Sequence, residues 1–217
     1  MKNILIIGAG RFGTYLIQQF AEQGDEILVV DNNEDRLEKV LPFVTSSLVG
    51  DSTDPDFMGS IGVNNFDLCV VAIGDNFQNS LETTSLLKEL GASYVISRAS
   101  RDVHEKFLLR NGADKVVYPE KNMAMWTAIR FSSSNIKDYI PVPGAFSIFD
   151  VEIPKSWVGR SIIDLEIRQK MHLNILALTE DGKLNMDYDP SEPFKKGQTV
   201  MVIGKDEDLK KHLDLDY

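Results

Sequence analysis

The stretch Ile4-Leu5-Ile6-Ile7-Gly8-Ala9-Gly10-Arg11-Phe12-Gly13 constrains the fold more than any other part of the chain. A continuous apolar run gives way to G-x-G-x-x-G and then to a helical repeat with Phe12, Leu16 and Phe20 at i, i+4 and i+8. In such a strand–turn–helix unit Gly8 permits the tight turn, Gly10 lets backbone approach a pyrophosphate, and Gly13 lets helix and strand pack closely. Phosphates would sit on the free N–H groups and positive end of the helix. Asp31 follows 18 residues after Gly13, at the end of the second apolar run. An acid there accepts hydrogen bonds from ribose hydroxyls and repels a 2′-phosphate.

The same alternation continues. Strands are expected at 27–30, 46–49, 68–73, 94–97 and 116–118, with helices over 11–23, 34–40, 76–90 and 103–110. Runs such as "ILII" and "LCVVAI" are unbroken rather than alternating, as in strands covered on both faces. Repeated β-α units of this kind give an α/β fold with a doubly wound parallel sheet.

Residues 120–135 break the rhythm. Met123, Ala124, Met125, Trp126, Ala128, Ile129 and Phe131 are apolar almost all the way round a helix, which therefore needs cover on nearly every side. A second subunit supplies that cover, or the chain's own C-terminal part does. Ser132–Asn135 and Pro141–Gly144 read as a helix end and a linker. Beyond lie a strand at 146–153, a short helix from Ser161, a hairpin around Asp181-Gly182, a strand near 198–204 and a helix over 206–213. This is a small α+β unit, so the expected division is a nucleotide-binding domain over 1–138 and a second domain over 139–217.

Composition narrows the function. Acids outnumber bases 19 to 13 over residues 1–139 and 14 to 10 over 140–217, for a net charge of −10. A dispersed negative surface repels phosphate backbones and anionic lipid, so nucleic acid is not an expected partner. The single cysteine, Cys69, excludes an internal disulfide framework and fits a reducing compartment. No apolar run reaches the roughly 20 residues that span a bilayer. The first strand begins at residue 3, leaving no room for a signal peptide, so a cytoplasmic protein is expected.

Candidate ligand residues cluster where the strands end. Arg11 can pair with terminal phosphate oxygens by two parallel hydrogen bonds, which suits ATP or ADP as well as a dinucleotide, or it is a solvated surface arginine. Asp51 and Ser52 contact the adenine end of a ligand or cap the next turn. Ile73, Gly74, Asp75 and Asn76 follow the fourth strand and Arg98 the fifth, at the sheet edge where ligands bind in open α/β folds. Phe12, Asn32 and Arg36 complete this set. Glu120 is either a phosphate-side cation ligand or a carboxylate stabilising a helix N-terminus. Catalytic groups are scarce. His104 and His212 fall on polar helices and read as solvated, His172 lies in the C-terminal unit, and Cys69 reads as core. No catalytic residue is assigned. A small NAD-dependent oxidoreductase and a non-enzymatic nucleotide sensor for a partner protein both stay open on these residues.

The series GAGRFG, VVD ending at Asp31, VGDSTD, VVAIGDNFQN, ISRAS and NGADKVVYPE resembles the RCK domains that regulate bacterial potassium channels and transporters of the Ktr and Trk type. The stretch from VGRSIIDLEI to VMVIG resembles the matching RCK C-terminal subdomain, and the whole is most similar to the single-RCK Ktr regulatory subunits. The resemblance implies a Rossmann-like N-terminal domain and a small α+β C-terminal domain. It implies dimers assembled into an octameric ring on the cytoplasmic face of an integral-membrane potassium-translocating subunit, with shape set by ATP/ADP or NAD(H). It places Arg11 at the terminal phosphates, Asp31 at the ribose, and Glu120 beside a divalent cation. It further implies cyclic di-AMP binding at Ile162, Ile163, Arg168, Asn174, Ile175 and Pro193. The chain departs from the pattern in having Thr14-Tyr15 after RFG and Ser52 on the adenine side.

Overall fold

The structure, a computed structural model, describes residues 1–180, 182–213 and 215. Its contacts divide the chain into two compact units, Met1–Glu120 and Lys121–Tyr217.

The first unit runs β1 (Asn3–Ile7), α1 (Arg11–Glu22), β2 (Glu26–Asp31), α2 (Glu34–Glu38), β3 (Ser46–Val49), α3 (Pro55–Ile61), β4 (Leu68–Val71), α4 (Phe77–Glu89), β5 (Val95–Arg98), α5 (Asp102–Arg110) and β6 (Lys115–Val117). The strands form one parallel sheet in the order β3-β2-β1-β4-β5-β6. Successive residues of β1 serve opposite faces. Ile4 and Ile6 join Ile17, Ile27, Val29 and Val70 on one side. Leu5 and Ile7 join Met58, Cys69, Val71, Leu87 and Val95 on the other. Both faces are therefore dry, which is why the strands read as unbroken apolar runs. Cys69 is buried inside β4, and burial pushes its thiol up to about 12.

His104 corrects the reading of α5 as a solvated polar helix. Its side chain is wholly buried, with the ring centroid 4.8 Å from that of Phe77 and the Ser100 N–H 3.4 Å from Nδ1. His104 and Leu108 stand one turn apart and form the inner face of α5. His212 is half-buried rather than solvated, and burial, followed by the Lys211 charge, holds its imidazole below the ordinary range.

Helix α6 covers Pro119–Ser132. Then come β7 (Ile136–Val142), β8 (Phe146–Glu152), α7 (Ile162–Leu165), α8 (Ile167–Met171), β9 (Asn174–Glu180), β10 (Lys183–Asn185), β11 (Thr199–Lys205) and α9 (Asp206–His212). The second sheet is antiparallel, in the order β10-β9-β11-β8-β7. Here the expected linker is corrected. Pro141 and Val142 belong to β7, an edge strand, where a proline's missing N–H does no harm. The expected boundary at 138/139 lies inside that strand. The hairpin pairs Lys183 with Glu180, while Asp181 of its expected turn lies outside the described residues.

Trp126 and Ile129 of α6 pack against the second unit's core of Phe149, Val151, Trp157, Val200 and Val202. The Trp126 indole donates to Asp138 Oδ1 at 3.3 Å. Met123, Met125 and Phe131 of the same helix are exposed, so the chain's own core covers one side of it. No helix among the described residues is long and apolar enough to cross a membrane.

Candidate functional site

The direction in which successive parallel strands are added across the first sheet reverses between β1 and β4, which lie side by side although β2 and β3 intervene in sequence. A crevice opens at the carboxyl ends of these strands, as it must where neighbouring connections leave in opposite directions. Its volume is about 780 Å³, within the range of small-molecule and cofactor sites.

The glycine loop shapes one wall. Gly8 sits at φ +101°, where a side chain would be strained. A Cβ on Gly13 would overlap the Gly8 carbonyl oxygen, so only glycine lets α1 come this close to β1. A Cβ on Gly10 would meet no protein atom within 4 Å. Gly10 lines the crevice, so its backbone is open to close approach there. Helix α1 begins with no side-chain cap and no acid in its first turn. Helices α2, α3 and α4 are capped by Asn33, Asp54 and Asn76. The first-turn N–H groups of α1 lack intrahelical acceptors by geometry and carry the positive end of the helix dipole. This start suits an anion, so a nucleotide's phosphates fit it.

Asp31 is buried at the end of β2. Its Oδ2 accepts the Ala9 N–H at 2.7 Å and its Oδ1 the Asn33 N–H at 2.9 Å, with Arg36 Nη1 3.7 Å from Oδ1. The acid therefore braces the glycine loop, and each oxygen keeps acceptor capacity toward the crevice. Asp51 closes a local turn, its Oδ1 accepting from the Thr53 N–H at 2.9 Å and hydroxyl at 2.8 Å, which hold its carboxyl below the ordinary range. The helix cap belongs instead to Asp54. The hydroxyls of Ser52 and Thr83 lie 2.9 Å apart.

At the opposite end Arg98 donates to Glu120, the second residue of α6, and its guanidinium carbon lies 5.8 Å from the Phe12 ring centroid. Burial pushes the Glu120 carboxyl up. Its own backbone N–H, the Arg98 hydrogen bond and the charges of Arg98 and Arg11 outweigh this and leave it below the usual carboxylate range. No cluster of three or more His, Cys, Asp or Glu residues stands ready for a metal among the described residues.

The crevice lining includes Gly8, Gly10, Arg11, Phe12, Asp31, Asn32, Arg36, Asp51, Ser52, Ile73, Gly74, Asp75, Asn76, Arg98 and Glu120. Gly13 lies behind it, in the helix–strand contact. Sequence reasoning missed Tyr15, Asn79 and Pro119, which also line it. Tyr15 follows Arg11 by one helical turn and Asn79 follows Asn76 by three residues, so helical spacing carried the signal. The lining holds no histidine or cysteine.

In the second unit Ser161 bridges Pro193, and the Ile163 N–H donates to the Pro190 carbonyl, which sets those two stretches side by side. Ile162 and Ile175 pack on the core while partly exposed. Arg168 and Asn174 are exposed on α8 and at the start of β9.

Residues 4–119 match the TrkA-N domain and residues 147–215 the TrkA-C domain. The chain is 34% identical over 208 residues to the Ktr system potassium uptake protein C of Bacillus subtilis, covering 96% of this chain and 94% of the relative. The chain belongs to the Ktr family of TrkA-N/TrkA-C proteins. The Ktr system potassium uptake protein A of the same organism is 32% identical, over 97% of this chain and 95% of that one. In fold, this Ktr-family chain matches the structure described as GsuK channel bound to NAD, with a TM-score of 0.68 at 19% identity. The match covers 99% of this chain and 39% of that one. Its two units, a parallel sheet followed by a small antiparallel one, are thus the two domains of the Ktr family in order.

Proposed function

We propose that this chain is a regulatory, nucleotide-binding subunit of a potassium uptake system and that it consumes no substrate. The observation that carries the reading is the uncapped start of α1, facing a crevice lined by Arg11 and Arg98. That arrangement binds a phosphate-bearing adenine ligand, ATP/ADP or NAD(H), through N–H groups and guanidinium pairs. The relatives' description as potassium uptake proteins supports a regulatory site over a catalytic one, and with it an integral-membrane potassium-translocating partner. The RCK resemblance of the sequence implies dimers in an octameric ring at the cytoplasmic face. A divalent cation at Glu120 would share phosphate oxygens, since one carboxylate alone is a poor site. In the second unit, exposed Ile163 and Arg168 support a cyclic di-AMP surface.

Regulation requires only that the nucleotide bind one assembly shape more tightly than another; about 1.4 kcal/mol of difference shifts the ratio tenfold. Calorimetric titration of wild type and Arg11→Ala with ATP, ADP, NADH and adenosine tests the site. Arg11→Ala weakens the phosphorylated ligands about tenfold or more and leaves adenosine nearly unchanged. Absence of binding to every adenine nucleotide removes the proposal. Steady NADH production from a hydroxy or amino acid replaces it with an oxidoreductase.

A further inference from the structure

Gly74, just past β4, has a function that its backbone angles do not explain. A Cβ built on it would overlap the guanidinium of Arg98, which occupies the space a side chain would have taken. Arg98 comes from the end of β5, and its side chain is only 17% exposed. Its buried Nε has no hydrogen-bond partner. Its Nη2 is bound to Glu120, whose side chain is 60% exposed. Gly74, Arg98, Glu120 and the loop residues Gly10 and Arg11 all line one crevice.

These facts set up a competition. A guanidinium presents five donors in a planar fork that matches phosphate oxygens two at a time. A carboxylate exposed to water holds it weakly, whereas a phosphate drawn to the helix start meets it in a more enclosed site. Two anions, Glu120 and the phosphate, then contend for one seated cation. Resting on the nucleotide-binding reading above, we propose that Arg98, seated on Gly74, is a positioning residue that exchanges the Glu120 carboxylate for a nucleotide phosphate and so releases Glu120 at the head of α6.

The exchange fixes the sign of an effect that a plain structural bridge would reverse. Breaking the pair is part of the cost of binding, so Glu120→Gln binds ADP more tightly. If Arg98 instead needs Glu120 to hold it in place, Glu120→Gln binds ADP more weakly. Titration of the full-length protein with ADP in chelator-treated buffer, with adenosine as control, reads the difference. The expected results are a gain of about fivefold for Glu120→Gln and a loss of about tenfold or more for Arg98→Gln, partly recovered in Arg98→Lys. The gain from Glu120→Gln shrinks when Arg98 is already Gln. Gly74→Ala, which displaces the guanidinium from its seat, weakens ADP in the wild-type background and adds nothing in the Arg98→Gln background. Adenosine binding stays within about twofold throughout. Weaker ADP binding by Glu120→Gln, or effects at positions 98 and 120 that combine independently, overturns the exchange. An equal loss from Gly74→Ala in both backgrounds overturns the seat. Those failures leave the nucleotide site standing, whereas a wild-type protein that ignores ADP removes site and exchange together.

Discussion

Ala9 donates its backbone N–H to Asp31 Oδ2 across 2.7 Å, so the acid at the end of β2 holds the glycine loop that follows β1. Asp31→Ala removes the acceptor of both the Ala9 and Asn33 N–H groups. The expected cost is about 1–3 kcal/mol of folding stability, read by urea denaturation. Asp31→Asn keeps one acceptor oxygen and loses less. An Asp31→Ala variant as stable as wild type would show that the loop holds its own shape.

Two glycines of the same loop separate packing from binding. Gly13→Ala drives a Cβ into the Gly8 carbonyl and costs about 3 kcal/mol, seen as a lower urea midpoint. Gly10→Ala meets nothing in the protein and has an ordinary φ of −69°. It stays within about 0.5 kcal/mol of wild type in the same melt, yet loses ADP affinity in calorimetry. Unchanged affinity would place the phosphates elsewhere.

His104 makes stability fall with acid. Burial, then the charges of Arg101 and Arg98, hold its folded-state imidazole below 6.5. The unfolded chain therefore binds the proton more readily. Its contribution is complete above about pH 6.5 and is lost as pH falls toward the lowered folded value. Thermal melts between pH 7.5 and 5, ranges chosen to bracket roughly the ordinary histidine value, should show this decline. It should be reduced in His104→Phe, which retains an aromatic beside Phe77. An identical decline in the variant would assign the loss to other groups.

Helix α6 supplies a test of assembly. Trp126 packs on the second unit's core, so Trp126→Ala costs about 2 kcal/mol by denaturation. Phe131 is 69% exposed. Phe131→Ser leaves stability within about 0.5 kcal/mol, and the dimer reading expects it to lower the mass found by light scattering. An unchanged mass would leave that face outside any interface.

The parallel sheet was legible because burial on both faces imprints unbroken apolar runs such as Ile4–Ile7. The crevice was legible for the same reason, since topology brings the strand ends together whatever separates them in sequence. The strand β7 was not legible. A register shift between Ile136 and Asp138 leaves Ile136 and Tyr139 inward, three residues apart, so the period of two is hidden. Serines before it and Pro141 within it then resemble a linker. His104 was misread because α5 is polar in composition, although its spacing to Leu108 marks an inner face. Asp31 was found through its expected ribose contact, but its bond to Ala9 depends on two strands lying side by side, which no local pattern records.

The chain's one sulfhydryl lies sealed within β4, with no surface reachable by solvent and little thiolate at neutral pH. An alkylating reagent can reach it only when the sheet itself parts. The rate at which native protein is labelled thus acts as a clock for breathing of the nucleotide unit. Any ligand that knits the strand ends together should slow that clock, without a probe having to be introduced.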